Sequence, residues 1–126
     1  MCLIQQAREF RVAYGCVDST ENELMQFKLI EEEFKEFNEA AQFETEADAL
    51  KELADLVYVC AQYAANQGWD LDTALARVHE SNMSKTLADG TVMRRADGKV
   101  LKGPNYKPPV LTDLVPDLFP VAIKNN

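Results

Sequence analysis

Glycine and proline are scarce wherever they would interrupt a helix. All five prolines (Pro104, Pro108, Pro109, Pro116, Pro120) follow residue 103, and before residue 86 the only glycines are Gly15 and Gly68. That punctuation separates a helical body from an irregular tail. The three cysteines, Cys2, Cys16 and Cys60, are odd in number and form no C-x-x-C pair, which excludes a disulfide scaffold and gives no sign of zinc or a redox couple. A single histidine, His79, weakens every mechanism built on histidine ligands or a Ser-His dyad. Any chemistry must fall to carboxylates. No apolar run is long enough for a membrane: Leu56 to Trp69 is broken by Gln62, Asn66 and Gln67 and is shorter than the roughly 18 residues a span requires. Met1-Cys2-Leu3-Ile4 gives way at once to Gln, Arg and Glu, so no signal peptide is read and cytoplasmic residence is expected. Basic residues are outnumbered 13 to 21, a net charge of −8 that argues against nucleic acid and membranes as partners and favours cations.

The 126 residues, 47% hydrophobic and 27% charged, suit one soluble domain with a modest core. A first helix is predicted over about 4–14, stopped by Gly15. Thr20-Glu21-Asn22-Glu23 has capping-box spacing and opens a long helix to about Gln42, whose apolar stripe is Phe27, Ile30, Phe34, Phe37 and Ala41. Thr45-Glu46-Ala47-Asp48 is a second capping signal. The third helix it opens carries Ala49, Leu53, Leu56, Val57, Cys60 and Ala64 and ends at Gly68. Its short link to the second helix favours an antiparallel hairpin. Asp70 begins a fourth helix with Leu71, Ala74, Leu75 and Val78 inward, reaching about Lys85. The expected class is all-α, a four-helix bundle over 1–86 with a basic, proline-containing tail over 87–126 packed on the same domain. In that tail Asp89-Gly90 and Asp97-Gly98 flank Thr91-Val92-Met93 and predict a small hairpin or ordered loop.

Ten of the twenty-one acids lie between Glu31 and Asp55. Glu31 and Glu39 fall well away from the apolar stripe, where exposed charge is the rule. Glu33 and Glu36, however, sit on one shoulder of the stripe, and Glu52 and Asp55 occupy the corresponding shoulder of the third helix. Antiparallel packing would bring all four together. Like charges at that separation raise one another's pKa or require a cation, and hard oxygen ligands suit Mg²⁺ or Mn²⁺. Glu32 lies beside Glu36 on the helical wheel as a further ligand. The plainer alternative is a solvated acidic shoulder paired with Lys28, Lys35 or Lys51. A di-iron bundle would need E-x-x-H pairs, and Ala76 stands three residues before His79.

Asn82 and Lys85 continue the fourth helix's apolar stripe with polar groups, either as fraying or as ligand contacts. From Lys85 to Lys107 six basic residues face two acids. A basic stretch beside an acidic metal centre suits a polyphosphate, whose oxygens bridge metals and accept Lys or Arg hydrogen bonds.

Glu32-Glu33-Phe34-Lys35-Glu36, then fifteen residues, then Glu52-Leu53-Ala54-Asp55 resembles the E-E-x-x-E and E-x-x-D motifs of the MazG-like all-α nucleotide pyrophosphohydrolases. Asn82-Met83-Ser84-Lys85 with Asp97 to Tyr106 resembles the phage branch related to phosphoribosyl-ATP pyrophosphohydrolase domains, and the likeness covers about residues 4–110. The resemblance implies hydrolysis of a nucleoside triphosphate between the α and β phosphates, giving a monophosphate and pyrophosphate, with two or three Mg²⁺ or Mn²⁺ ions. It implies Glu33, Glu36, Glu52 and Asp55 as metal ligands, with Glu32 or Glu33 serving the attacking water. It further implies Asn82, Lys85, Lys99, Lys102, Asn105 and Tyr106 as substrate contacts, and a homodimer or homotetramer. The compartment would be a host cytoplasm if the chain is phage-encoded. Relatives differ in the base they take, dGTP being the one chosen here, with phosphoribosyl-ATP as alternative. Against the enzyme stand two other classes, a non-catalytic acidic interaction module and a metal-storing bundle.

Overall fold

A computed structural model gives the fold, described for residues 2–116. Among those residues it is all-helical apart from one isolated antiparallel bridge, Arg94 to Val100. The helices are α1 (Leu3–Ala13), α2 (Thr20–Phe43), α3 (Glu46–Gln67) and α4 (Leu71–Met83), followed by a 3₁₀ turn at Thr112–Leu114. None is long and apolar enough to cross a membrane. The chain divides into two compact units, Met1–Leu71 and Asp72–Asn126.

In the first unit local chemistry sets the helix ends. After α1 the chain turns at Gly15 (φ 65°), with Cys16 N–H donating to the Arg11 carbonyl at 2.8 Å. Gly68 ends α3 in the same left-handed form (φ 73°), with Trp69 N–H on the Ala64 carbonyl at 2.9 Å. The capping box at Thr45 forms as its spacing predicts: Asp48 N–H donates to Thr45 Oγ1, and Thr45 N–H to Asp48 Oδ2. At α2 the cap lies one residue earlier than expected, because Ser19 Oγ accepts from Asn22 N–H.

Glu44 and Thr45 join α2 to α3. The pair runs antiparallel, since Glu23 near the start of α2 accepts a hydrogen bond from Tyr63 near the end of α3 at 3.2 Å. Small residues at the other contact let α1 approach α3: Ala7 packs on Ala61 and Ala65, with Leu3, Ile4 and Leu71 around them. A polar junction fastens the α1–α2 loop to this core. Buried Arg11 pairs with Asp18 at 2.5 Å and donates to Asn66 Oδ1 at 3.1 Å, while Asn66 also bonds both the N–H and the carbonyl of Ser19.

The face α2 buries is rotated from the predicted stripe. Phe27, Phe34 and Ala41 are exposed, whereas Gln26, Ile30, Glu33, Phe37 and Ala40 are buried or half-buried. These recur at steps of four, three, four and three, a single helical face. On α3 Leu53 and Val57 are exposed, and the covered row is Ala49, Glu52, Leu56, Val59, Tyr63 and Asn66. Hence Glu33 and Glu52 lie within the covered rows, not on their shoulders.

In the second unit α4 is shorter than expected, ending at Met83. The following segment is fixed to the helix by side chains. Buried Ser81 donates to the Lys107 carbonyl at 2.7 Å, Lys107 N–H donates to Ser84 Oγ, and Arg77 holds both Asp113 oxygens together with the Val110 carbonyl. The predicted hairpin is the bridge of Arg94 to Val100 around Asp97-Gly98, with Arg95 N–H on the Lys99 carbonyl. Residues 117–126 of the expected tail lie outside the described part.

Candidate metal centre

Antiparallel packing of α2 on α3 sets the middle of one helix against the first turns of the other. Glu33, Glu36 and Glu52 each turn one carboxylate oxygen to within 4.8 Å of the others'. Glu33 and Glu36 come from adjacent turns of one helix and Glu52 from its partner, an i, i+3 pair facing a single acid. Glu33 Oε2 and Glu52 Oε2 are buried and have no hydrogen-bond partner. Buried carboxylate oxygens without donors are costly. A divalent cation is the partner that an all-oxygen anionic set accepts best.

The electrostatics agree. Glu33 is pushed up from 4.5 to about 7, first by burial and then by Glu36, through both its charge and a shared hydrogen bond, with smaller contributions from Asp55 and Glu52. Asp55 is close enough to act on Glu33, yet its own oxygen is held by Lys51 Nζ at 2.7 Å. Lys51 also reaches Glu52 Oε1 at 3.3 Å, and the two carboxylates hold its ammonium above the ordinary lysine range. Lys51 therefore sits where a cation's charge is wanted, as an exposed, displaceable side chain. That pairing and the exposure of Glu36 are features of the plainer sequence reading that the structure contains.

Glu32, next to Glu33, is exposed on α2. Of the residues expected to touch substrate, all six lie in the second unit. Asn82 is exposed in the last turn of α4, and Lys85 is half-buried just beyond it, its N–H on the Asn82 carbonyl. Gly103 passes so close that a Cβ there would stand 3.0 Å from the Lys85 carbonyl oxygen. Asn105 and Tyr106 line a cavity of about 550 Å³ with Glu80, Ser84 and Thr86. Lys102 Nζ lies 5.0 Å from the Tyr106 ring centre, a cation–π contact, and Lys99 N–H is bonded to Asp97.

The family model of phosphoribosyl-ATP pyrophosphohydrolase matches residues 10–82, more than half of the chain and all of α2 and α3. The chain belongs to this family. Phosphoribosyl-ATP pyrophosphohydrolases lie within the MazG-like superfamily, and membership makes the protein a nucleotide pyrophosphohydrolase. Such enzymes typically use divalent metals, and the Glu33, Glu36 and Glu52 cluster is compatible with that use. No curated protein sequence matches the chain.

Proposed function

We propose that the protein hydrolyses a nucleoside triphosphate between the α and β phosphates, releasing a monophosphate and pyrophosphate, with Mg²⁺ or Mn²⁺ held by Glu33, Glu36, Glu52 and Asp55. The observation that carries this reading is the convergence of three carboxylates with two buried, partnerless oxygens. A divalent cation bound there supplies a Lewis acid that acidifies water and neutralises charge building on the pyrophosphate leaving group. Glu33, whose pKa is raised to about 7 by burial and by its acidic neighbours, is about half protonated near pH 7 and would give up that proton to a bound cation. Glu32 orients the attacking water from the exposed side of α2. Lys51 swings from Asp55 to the polyphosphate, freeing the carboxylate. Asn82, Lys85, Lys99, Lys102, Asn105 and Tyr106 hold phosphate and sugar. The preferred substrate is dGTP. Phosphoribosyl-ATP is the second candidate, favoured by the family whose model matches the chain.

Exposed Phe27 and Phe34 on α2 and Leu53 and Val57 on α3 form an apolar surface beside the acids. We assign it to a homodimer or homotetramer interface, so Phe34→Asp should lower the mass measured by light scattering to that of one chain.

The reaction is tested by incubating the protein with each common nucleoside and deoxynucleoside triphosphate and with phosphoribosyl-ATP, with Mg²⁺ or Mn²⁺ and again with EDTA. The products are separated chromatographically. Metal-dependent monophosphate plus pyrophosphate is expected. Diphosphate plus phosphate, or no turnover of any of these nucleotides, would overturn the proposal.

A further inference from the structure

The junction that fastens the α1–α2 loop leaves one strong donor unused. Arg11 is 5% exposed. Its Nε and Nη2 both donate to Asp18 Oδ1, at 3.2 and 2.5 Å, and Nη2 also donates to Asn66 Oδ1. Nη1 is buried and has no hydrogen-bond partner among the described residues, although it carries two N–H groups. A charged nitrogen withdrawn from water without an acceptor is costly. Asn66 stands fourteen residues along α3 from Glu52, about 21 Å at 1.5 Å per residue, so this donor lies well away from the acids.

Arg11 belongs to the wall of an open cavity of about 490 Å³, lined by Arg8, Arg11, Val12, Cys16, Val17 and Asp18. Arg8, Arg11 and Val12 stand at i, i+3 and i+4 and so share a face of α1. Arg8 is exposed and forms no salt bridge among the described residues. Asp18 is the one acid in the lining and is already paired with Arg11, so two guanidinium groups against one carboxylate leave a net positive charge. Bare carbonyls at the end of a helix would repel an anion. Here those of Arg11 and Val12 are covered, by Cys16 N–H at 2.8 Å and Gly15 N–H at 3.2 Å. Val12 and Val17, both well exposed, give the cavity apolar walls beside its donors.

We propose that this cavity is a second ligand site, separate from the metal centre, and that it binds a phosphate monoester with a compact apolar body. Two guanidinium groups decide for phosphate. A carboxylate is planar and is filled by one fork of N–H groups, whereas the three free oxygens of a phosphoryl group take donors from different directions. Nη1 of buried Arg11 meets the phosphoryl group from the inside of the cavity, and exposed Arg8 closes on it from the rim. A bare phosphate ion would leave most of the cavity empty, and the side chains of Val12, Val17 and Cys16 offer an organic group the apolar contact that small-molecule sites use. Occupancy ties α1 to the loop through Arg11, which Asn66 already holds to α3.

Titration calorimetry of the whole chain in EDTA tests the site with inorganic phosphate and phenyl phosphate as probes, since the acids of the metal centre repel both when no cation is present. Labelling by N-ethylmaleimide, read by peptide mass mapping, locates the ligand, with exposed Cys2 as the reference for exposed Cys16. Phenyl phosphate should bind once per chain, about fivefold or more tighter than inorganic phosphate. Arg8→Gln changes an exposed side chain and retains the fold; it should weaken phenyl phosphate about tenfold, whereas Lys102→Gln in the second unit should leave its affinity unchanged. Arg11→Lys, its fold checked by circular dichroism, keeps the charge but loses the free nitrogen and should weaken binding as well. Saturation should slow labelling of Cys16 severalfold and leave Cys2 as it was. No binding of phenyl phosphate, binding unmoved by Arg8→Gln, or binding without protection of Cys16 would overturn the site. Equal affinity for the two probes would overturn its assignment to a monoester, and loss of binding in Lys102→Gln would move the ligand to the second unit and overturn it too.

Discussion

The two halves of α3 have been put to opposite uses. Every fully buried residue of the helix (Ala61, Gln62, Ala64, Ala65, Asn66) falls in its last two turns, where small side chains admit α1 and Asn66 ties down the α1–α2 loop. Toward the other end lie Glu52 and Asp55, flanked by exposed Leu50, Leu53 and Val57, and two of the site's buried oxygens have no donor. One end is packed and its main polar side chain bonded. The other holds repulsion that a cation and a second surface would relieve. An unbalanced cluster of like charge keeps its turns of the helix looser than the small-residue end, because the charge needs access to solvent ions that close packing excludes.

Substitution at each end should separate these uses. The largest effect is expected from Glu52→Gln, which keeps the volume and removes the charge: kcat/KM should fall at least about a hundredfold, roughly 2.7 kcal/mol. Thermal stability without metal should hold or rise as repulsion is relieved. Survival of activity would break the comparison at its acidic end. Asn66→Ala is the converse. It orphans the Ser19 N–H and carbonyl and part of Arg11, and should cost about 2 kcal/mol, lowering Tm by roughly 6–10 °C. Mg²⁺ affinity measured by calorimetry should change little, since Asn66 is more than three turns from Glu52.

Smaller effects sharpen the contrast. Glu33 has a folded pKa near 7 against 4.5 for the ordinary group, so between those values the folded state holds more protons than the unfolded one. Stability without metal should therefore decline as pH rises from about 4.5 to 7. Adding Mg²⁺ should flatten or reverse that decline, and Glu33→Gln should remove its share; denaturant titrations across this range provide the check. The smallest change in stability is expected from Lys51→Ala, because its ion pairs are exposed. Its clearer consequence should be tighter Mg²⁺ binding by a few fold, as the site loses a competing positive charge. Weaker binding would mean that Lys51 positions the carboxylates.

Much of this was legible in the chain. The Thr45 capping box, the left-handed Gly68, the hairpin of α2 on α3 and the pairing of E-x-x-E with E-x-x-D all follow from spacing, and with them the meeting of Glu33 and Glu36 with Glu52. The face assignments were less legible. Phe27 and Phe34 outweigh Gln26 and Glu33 in any count of apolar residues, so the expected stripe on α2 kept Ile30 and Phe37 but ran along one edge of the covered face. Lys51 and Asp55 are also i, i+4 neighbours, but their spacing alone does not tell whether lysine or a metal holds the carboxylate.

Sequence by itself determined where helices begin and end and which residues share a turn, because capping and helical periodicity act over four residues or fewer. It also determined that the middle of the chain would be dense in negative charge. Only the tertiary structure decided which of two apolar faces α2 would turn to α3, and so that Glu33 and Glu52 would be drawn between the helices with bare oxygens. That choice depends on how the two helix surfaces fit, with small Ala40 on the covered face of α2, a property of both surfaces together.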